Sequence, residues 1–374
     1  MRIAVVSNTS WYLYNFRLNL IHALQAAGHD VVAVAPAADH AEKIRSAGVR
    51  FESVAISGGG TNPLTELKSV AALFDVFRRH RIELVLSYTP KGNLYSALAC
   101  IASGRTFVPN VSGLGRAFIR RSLVTQIARV LYRTTFRRAH RVFFQNNDDQ
   151  AFFITEGFVT RDQALRVPGS GVDLERFSPT AVGVTNVTRV DSAPVFLMIA
   201  RLMWDKGVGE YVKAAASVRK HYPDARFQVL GFLDVDNPSA VPRASVEQWV
   251  AEGTIEYLGP TDDVRPFMRD ADCVVLPSYR EGMPRTMLEA AAMGRPIITT
   301  DTNGCRDTVI DGETGYLCRV QDGPDLAAKM HQFIALPINK REAMGMRGRA
   351  YVEREFDERV VLERYAEVVE LLSR

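Results

Sequence analysis

Apolar runs alternate with segments of helical period along most of the chain. In the first half the runs predict strands at Ile3–Asn8, Val31–Ala35, Phe51–Ile56, Glu83–Tyr88, Thr106–Val111 and Arg141–Gln145. Helical periodicity between them predicts helices such as Asn15–Ala27 and Leu64–Arg79. The second half repeats the alternation with Val195–Ala200, Arg226–Gly231, Thr254–Leu258, Cys273–Pro277, Pro296–Thr300 and Gly315–Cys318. Strands alternating with helices in this way indicate α/β architecture with doubly wound sheets. Val167-Pro-Gly-Ser-Gly171 and the strandless stretch Ser178–Pro194 interrupt the pattern and predict a linker. Two Rossmann-like domains follow, 1–168 and 169–356. A last helical segment, Asp357–Arg374, has no strand after it.

The length of 374 residues suits two domains better than one core. Met1 leads directly into a strand, so no signal or targeting segment is expected, and no apolar stretch is long enough to span a bilayer. Cys100, Cys273, Cys305 and Cys318 are scattered, which predicts reduced thiols in a cytosolic protein, three of them filling cores. The net charge of +4 conceals an asymmetry: residues 1–165 carry +9 and the remainder −5. Between Glu83 and Asp148 there is no acidic residue, while Lys91, Arg105, Arg116, Arg120, Arg121, Arg129, Arg133, Arg137, Arg138 and Arg141 all fall there. A field of this kind attracts polyanions: nucleic acid, anionic lipid or a pyrophosphate.

The chemistry concentrates where strands end. Glu281-Gly-Met-Pro-Arg-Thr-Met-Leu-Glu289 follows the apolar run Cys273–Ser278. Pro284 suits the start of a helix, where its missing N–H is harmless. Glu281 then lies on the loop and Glu289 about two turns down the helix. With Pro284 among the donor-binding candidates, the free amides of Gly282, Met283, Arg285 and Thr286 offer a seat for an anion between them. Carboxylates that accept from sugar hydroxyls, beside amides that hold phosphate, suit a nucleotide sugar; taken alone, the segment is equally an amphipathic helix with two solvated glutamates. Arg201 closes another strand, with Lys206 in the loop that follows, and two such cations can clamp a diphosphate.

Together these segments resemble the E-x7-E and associated motifs of retaining glycosyltransferases with the GT-B fold, the glycogen-synthase-like clan, and family four in particular. Gly169-Ser-Gly-Val-Asp-Leu-Glu-Arg-Phe-Ser-Pro179, Ala200-Arg-Leu-Met-Trp-Asp-Lys-Gly207 and Gly304-Cys-Arg-Asp307 through Gly312 and Gly315 match in the same order. The resemblance implies two Rossmann-like domains facing across a cleft, with 169–356 holding a UDP-sugar and 357–374 crossing back onto the first domain. It assigns the donor diphosphate to Arg201 and Lys206, the ribose to Glu289 and the transferred sugar to Glu281. It also implies a reaction with no firmly identified protein nucleophile, in which the departing phosphate is the candidate to take the acceptor's proton. No cofactor and no metal are expected; Asp234-Val-Asp236, a pattern that holds a metal in the other large glycosyltransferase fold, reads as a turn before Asn237-Pro238.

The N-terminal half departs from the family pattern, with Asn8-Thr-Ser-Trp-Tyr-Leu-Tyr-Asn15 where many relatives carry a glycine-rich loop. Acceptor-side candidates are Asn15 and Arg17 at the start of the first predicted helix, Lys91 and Asn93 where a strand ends and a helix opens, and Gly113 in a stretch after a strand that reads equally as a plain turn. Arg129, Arg133, Arg137 and Arg141, at four-residue spacing among apolar residues, read with Arg116, Arg120 and Arg121 as a membrane-facing surface. These features resemble the bacterial enzymes that extend polyprenyl-diphosphate-linked glycans. They imply transfer of a hexose or N-acetylhexosamine from a UDP-sugar, with an α-linkage, at the cytoplasmic face of an anionic membrane. A soluble or other lipid acceptor is the nearest alternative. A UDP-N-acetylglucosamine epimerase would not be expected to carry both the Arg201…Lys206 and the Glu281…Glu289 sets. Nucleic-acid binding is disfavoured by the acidic second half and the lack of a recognised module.

Overall fold

The computed structural model describes residues 1–38, 40–56, 62–113, 123–180, 193–235 and 237–373. The chain divides into two compact units, Met1–Ser170 with Arg359–Arg374, and Gly171–Glu358.

The first unit is built on β1 (Arg2–Val6), β2 (Asp30–Ala35), β3 (Arg50–Ser53), β4 (Leu84–Tyr88), β5 (Thr106–Val111), β6 (Val142–Phe144) and β7 (Ala164–Arg166). All pair in parallel, in the order β3-β2-β1-β4-β5-β6-β7. Successive side chains of a strand point to opposite faces, so Ala4 and Val6 enter one core while Ile3 and Val5 enter the other. The helices are α1 (Ser10–Ala26), α2 (His40–Ser46), α3 (Pro63–Arg79), α4 (Pro90–Ser103), α5 (Leu123–Phe136) and α6 (Asn147–Thr155). The first core takes apolar residues of α3, α4, α5 and α6; the second takes those of α1 and α2.

The second unit repeats the plan with six parallel strands: β8 (Val195–Ile199), β9 (Arg226–Leu230), β10 (Glu256–Tyr257), β11 (Cys273–Leu276), β12 (Ile297–Thr300) and β13 (Gly315–Cys318). Their order is β10-β9-β8-β11-β12-β13. The accompanying helices are α7 (Val208–Arg219), α8 (Arg243–Ala251), α9 (Arg265–Asp270), α10 (Arg285–Ala292), α11 (Gly323–Ile334) and α12 (Ile338–Glu355). The final helix, α13 (Glu358–Ser373), places Val361, Tyr365, Val368 and Val369 in the second core of the first unit, a helical stripe of i, i+4, i+7, i+8 spacing.

In each sheet the strand order reverses once, between β1 and β4 and between β8 and β11. Open α/β sheets bind ligands outside the carboxyl ends of the strands at such reversals.

Four local expectations need correction. The first helix begins at Ser10, not Asn15, because Thr9 caps it by accepting from the Tyr12 amide at 3.2 Å. Trp11, Tyr12, Tyr14 and Asn15 are therefore helical, and no long loop follows β1. The strand expected over Thr254–Leu258 is only two residues long, although Leu258 N still donates to Val229 O. The strand β7 was not anticipated, since three residues are too few to show a period. Finally, α10 starts at Arg285, so Glu289 lies one turn into it. All four cysteines are buried thiols.

Candidate active site

The loops that leave β8, β9, β11 and β12 are tied to one another through backbone atoms. After β8, Leu202 N donates to Phe232 O and Val241 N to Leu202 O, while Trp204 N donates to Ser239 O at 2.7 Å. Phe232, Ser239 and Val241 thereby pin the loop carrying Arg201 and Lys206. From β11, Tyr279 N and Ser278 Oγ both donate to Asp205 O, at 2.9 and 3.1 Å. Glu281 N donates to Asn303 O, in the loop after β12.

Two glycines permit this close approach. A Cβ on Gly207 (φ +78°) would lie 2.0 Å from Pro277 O, and one on Gly304 (φ +74°) would lie 2.3 Å from Gly282 O. Both the left-handed backbone and the missing side chain are required there.

The result joins residues that are 75 positions apart: Lys206 Nζ forms an ion pair with Glu281, directly over the β8/β11 reversal. The two side chains are 20% and 15% exposed. Arg201 is exposed at the same edge. Beneath them, burial and then the Glu281 charge push the Cys305 thiol up to about 12, so this part of the floor is neutral.

Glu289 is almost wholly buried, and Arg285, one turn earlier, forms an ion pair with it at 2.9 Å. Burial raises its pKa above the ordinary carboxylate value, against the lowering effect of Arg285 and Arg176. Pro284 caps α10 without a side-chain hydrogen bond, and the amides of the first helical turn face out of its N-terminal end. The side chains of Met283 and Pro284 are buried, so these residues can offer a ligand only backbone.

Sequence reasoning missed one supporting pair. Tyr279 donates its hydroxyl to Glu210, lying 3.0 Å from both carboxylate oxygens. The contact braces the loop after β11 against the first turn of α7. Glu210 is the third residue past Gly207, but no local spacing links it to Tyr279.

Most acceptor-side candidates of the first unit are engaged within it. Arg17 is 1% exposed and Asn93 1% exposed, which corrects the expectation that they face a ligand. Asn93 Nδ2 donates to Asn110 O, an internal bond between α4 and β5. Asn15 Nδ2 donates to Trp11 O within α1. Lys91 is half-buried in an ion pair with Glu66 at 2.7 Å, and Tyr95 also donates to that carboxylate. The turn into α4 places Thr89 at φ 67°, ψ 150°, a conformation β-branched residues rarely adopt. Gly113 lies just past β5 with φ 114°.

The arginine row of α5 is also turned partly inward. Arg129 forms an ion pair with Glu156, Arg133 donates to Glu156 O at 3.0 Å, and Arg137 donates to Gly157 O at 2.9 Å. Ile127 and Val130, each 62% exposed, lie on the same helix. Arg116, Arg120 and Arg121 lie outside the described residues, as does Asp236. Asp234 has left-handed backbone (φ 57°) and forms an ion pair with Arg243. Among the described residues, no three His, Cys, Asp or Glu side chains converge as a metal-ligand set.

Two family models match the chain in tandem. Residues 15–169 match the glycosyl transferase 4-like domain, and residues 193–335 match glycosyl transferases group 1. A Campylobacter jejuni N,N'-diacetylbacillosaminyl-diphospho-undecaprenol alpha-1,3-N-acetylgalactosaminyltransferase is 28% identical, covering 98% of this chain and 97% of its own. An Escherichia coli UDP-Gal:alpha-D-GlcNAc-diphosphoundecaprenol alpha-1,3-galactosyltransferase is 24% identical over 69% of this chain and 68% of its own. Among solved structures, sucrose-phosphate synthase from Thermosynechococcus elongatus superposes with a TM-score of 0.80 at 19% identity, covering 100% of this chain and 99% of its own. Anabaena HepE in complex with UDP-glucose gives 0.79 at 18% identity, covering 99% of each chain. The paired parallel sheets are those of the GT-B fold, and the chain belongs to the group 1, family-four-like glycosyltransferases.

Proposed function

We propose that this enzyme transfers a hexose or N-acetylhexosamine from a UDP-sugar to an undecaprenyl-diphosphate-linked saccharide, with retention and an α-linkage. The observation that carries the reading is the Lys206–Glu281 pair held over the β8/β11 reversal, with Arg201 beside it and Glu289 one turn into the next helix. The acceptor class is supported by the Campylobacter relative, which matches essentially end to end.

In this reading Arg201 and Lys206 stabilise the diphosphate as the bond from the anomeric carbon to its oxygen breaks. The first-turn amides of α10 hold the phosphates, Glu281 holds sugar hydroxyls and Glu289 holds the ribose. The acceptor oxygen bonds to the anomeric carbon on the face the diphosphate leaves, and its proton passes to the departing phosphate oxygen. The protein's contribution is preorganised charge aimed at the leaving group, a role suited to loops locked together through backbone.

The test is a donor screen. UDP-hexoses and UDP-N-acetylhexosamines are offered with undecaprenyl-diphosphate sugars, and products are read by mass and by anomeric coupling. Transfer of one sugar in α-linkage is expected, undiminished by EDTA. A β-linked product removes the mechanism, and activity lost to EDTA but restored by Mn²⁺ points to Asp234 and Asp236 as metal ligands.

The first unit is proposed to attach peripherally to an anionic cytoplasmic membrane face. Among the described residues no helix is long and apolar enough to cross a membrane. Arg133, Arg137 and Arg138 remain exposed, and each cation near an anionic surface adds about 1 kcal/mol within a Debye length. In liposome flotation, binding is expected to anionic vesicles at low salt and to be released at high salt. Binding indifferent to both lipid charge and salt favours the soluble-acceptor alternative.

A further inference from the structure

The side chain of Arg17 is the most unusual charge in the first unit. It is 1% exposed, and among the described residues no carboxylate pairs with it. Its one hydrogen bond runs from Nη2 to Tyr12 Oη at 3.0 Å, and Nε has no acceptor. The guanidinium carbon lies 4.2 Å from the centre of the Tyr88 ring and 5.5 Å from that of Tyr12. Just past β1 and at the start of α1, Ser7 Oγ and Ser10 Oγ are also buried without a partner. Tyr365 of α13 packs 6.4 Å from Tyr88, centre to centre, and receives a bond from Asn110 Nδ2.

A guanidinium gives up strong hydration on burial, and buried cations are ordinarily matched by an acid. Two aromatic faces and one phenol return only part of that hydration. The position of the charge suggests what returns the rest. Helical side chains lean toward the helix N-terminus, so Arg17 reaches back to Tyr12, in the first turn of α1. Tyr88 ends β4, so the cation lies under the carboxyl ends of β1 and β4, at the reversal of strand order in this sheet.

We infer that Arg17 is an electrostatic positioning residue whose missing countercharge is the diphosphate of a substrate bound over the β1/β4 reversal. The Tyr12 hydroxyl, which accepts from Arg17, keeps its own proton to donate and is the group that touches the anion. A buried charge is screened little by salt, so the attraction survives at ionic strengths that silence surface arginines. The inference rests on the glycosyl-transfer reading, in which the second unit holds the diphosphate of the UDP-sugar, so the anion assigned to the first unit is the diphosphate of the polyprenyl acceptor.

The test compares wild type with Arg17→Met and Arg17→Lys by thermal melting and by calorimetry with UDP and with geranyl diphosphate, a short analogue of the acceptor's lipid end. Arg17→Met, which keeps most of the volume and removes the charge, is expected to melt no lower than wild type without ligand. It is also expected to lose at least ten-fold in affinity for geranyl diphosphate while binding UDP as wild type does. Arg17→Lys, whose ammonium is more strongly hydrated and loses its proton more readily on burial, is expected to fall between wild type and Arg17→Met. If Arg17→Met fails to fold or melts lower, the charge is a structural member of the core and the inference falls. It also falls, alone, if wild type binds geranyl diphosphate and Arg17→Met binds it equally well. If wild type binds neither, the glycosyl-transfer reading falls and takes this inference with it.

Discussion

Arg201→Ala and Lys206→Ala are each expected to lower kcat by about 10²–10³-fold, the usual effect of removing one preorganised donor from developing negative charge. Their stabilities should differ. Arg201 is exposed, and substitution at such a site rarely changes stability by more than about 0.5 kcal/mol. Lys206 neutralises Glu281, and both side chains are four-fifths or more covered. Removing the lysine strands a partly buried carboxylate, at about 1–3 kcal/mol. From sequence alone both variants are expected to melt near wild type; the ion pair separates them. The double variant Lys206→Ala/Glu281→Gln should recover most of that stability and none of the activity. If Lys206→Ala keeps wild-type turnover, Lys206 exists to hold Glu281 and not to meet the diphosphate.

The pair also bears on how much of the site was legible. Glu281 and Glu289 belong to one strand–loop–helix unit, as do Arg201 and Lys206, so local spacing was enough to place each set at a strand's carboxyl end. That Lys206 meets Glu281, or Tyr279 meets Glu210 across 69 positions, depends on strand order. Strand order emerges only from pairing in the sheet. The glycines gave a partial signal: Gly207 and Gly304 lie within the matched segments, but that each is required by a carbonyl about 2 Å from a Cβ is a fact of tertiary packing.

The first unit was less legible because its candidates, Gly113 apart, sit on helices, where the buried face decides everything. Leu13, Arg17, Leu20 and Leu24 occupy one helical stripe, and all four are buried. Starting the helix at its Thr9 cap would have put Arg17 on that inward stripe. Starting it at Asn15 left too little of the pattern to show which way it points. Along α5 and the residues after it the four-residue row of arginines was visible, but not that Glu156 and Gly157 would receive three of them. Those partners follow α6, and no spacing within α5 reports them.

Glu289→Gln should weaken UDP binding by about ten-fold or more, since a hydrogen bond to a charged group contributes about 1.5–3 kcal/mol. Its effect on the free protein should have the opposite sign. Burial raises the Glu289 pKa in the folded state above its ordinary value of 4.5, so the fold favours the protonated form. Below the ordinary value both states are protonated and ionisation contributes nothing to the difference between variant and wild type. As pH rises from there through the raised value, wild type must carry a buried charge the glutamine lacks. The melting temperature of Glu289→Gln relative to wild type should therefore climb between acid and neutral pH. UDP affinity of wild type should fall in the same window as pH drops, toward that of the variant, whose own affinity stays flat there. Calorimetry and melting curves across this range measure both. Unchanged UDP affinity in the folded variant would displace Glu289 from the ribose. A relative melting temperature that falls with rising pH would mean that the ion pair with Arg285 outweighs the cost of burial.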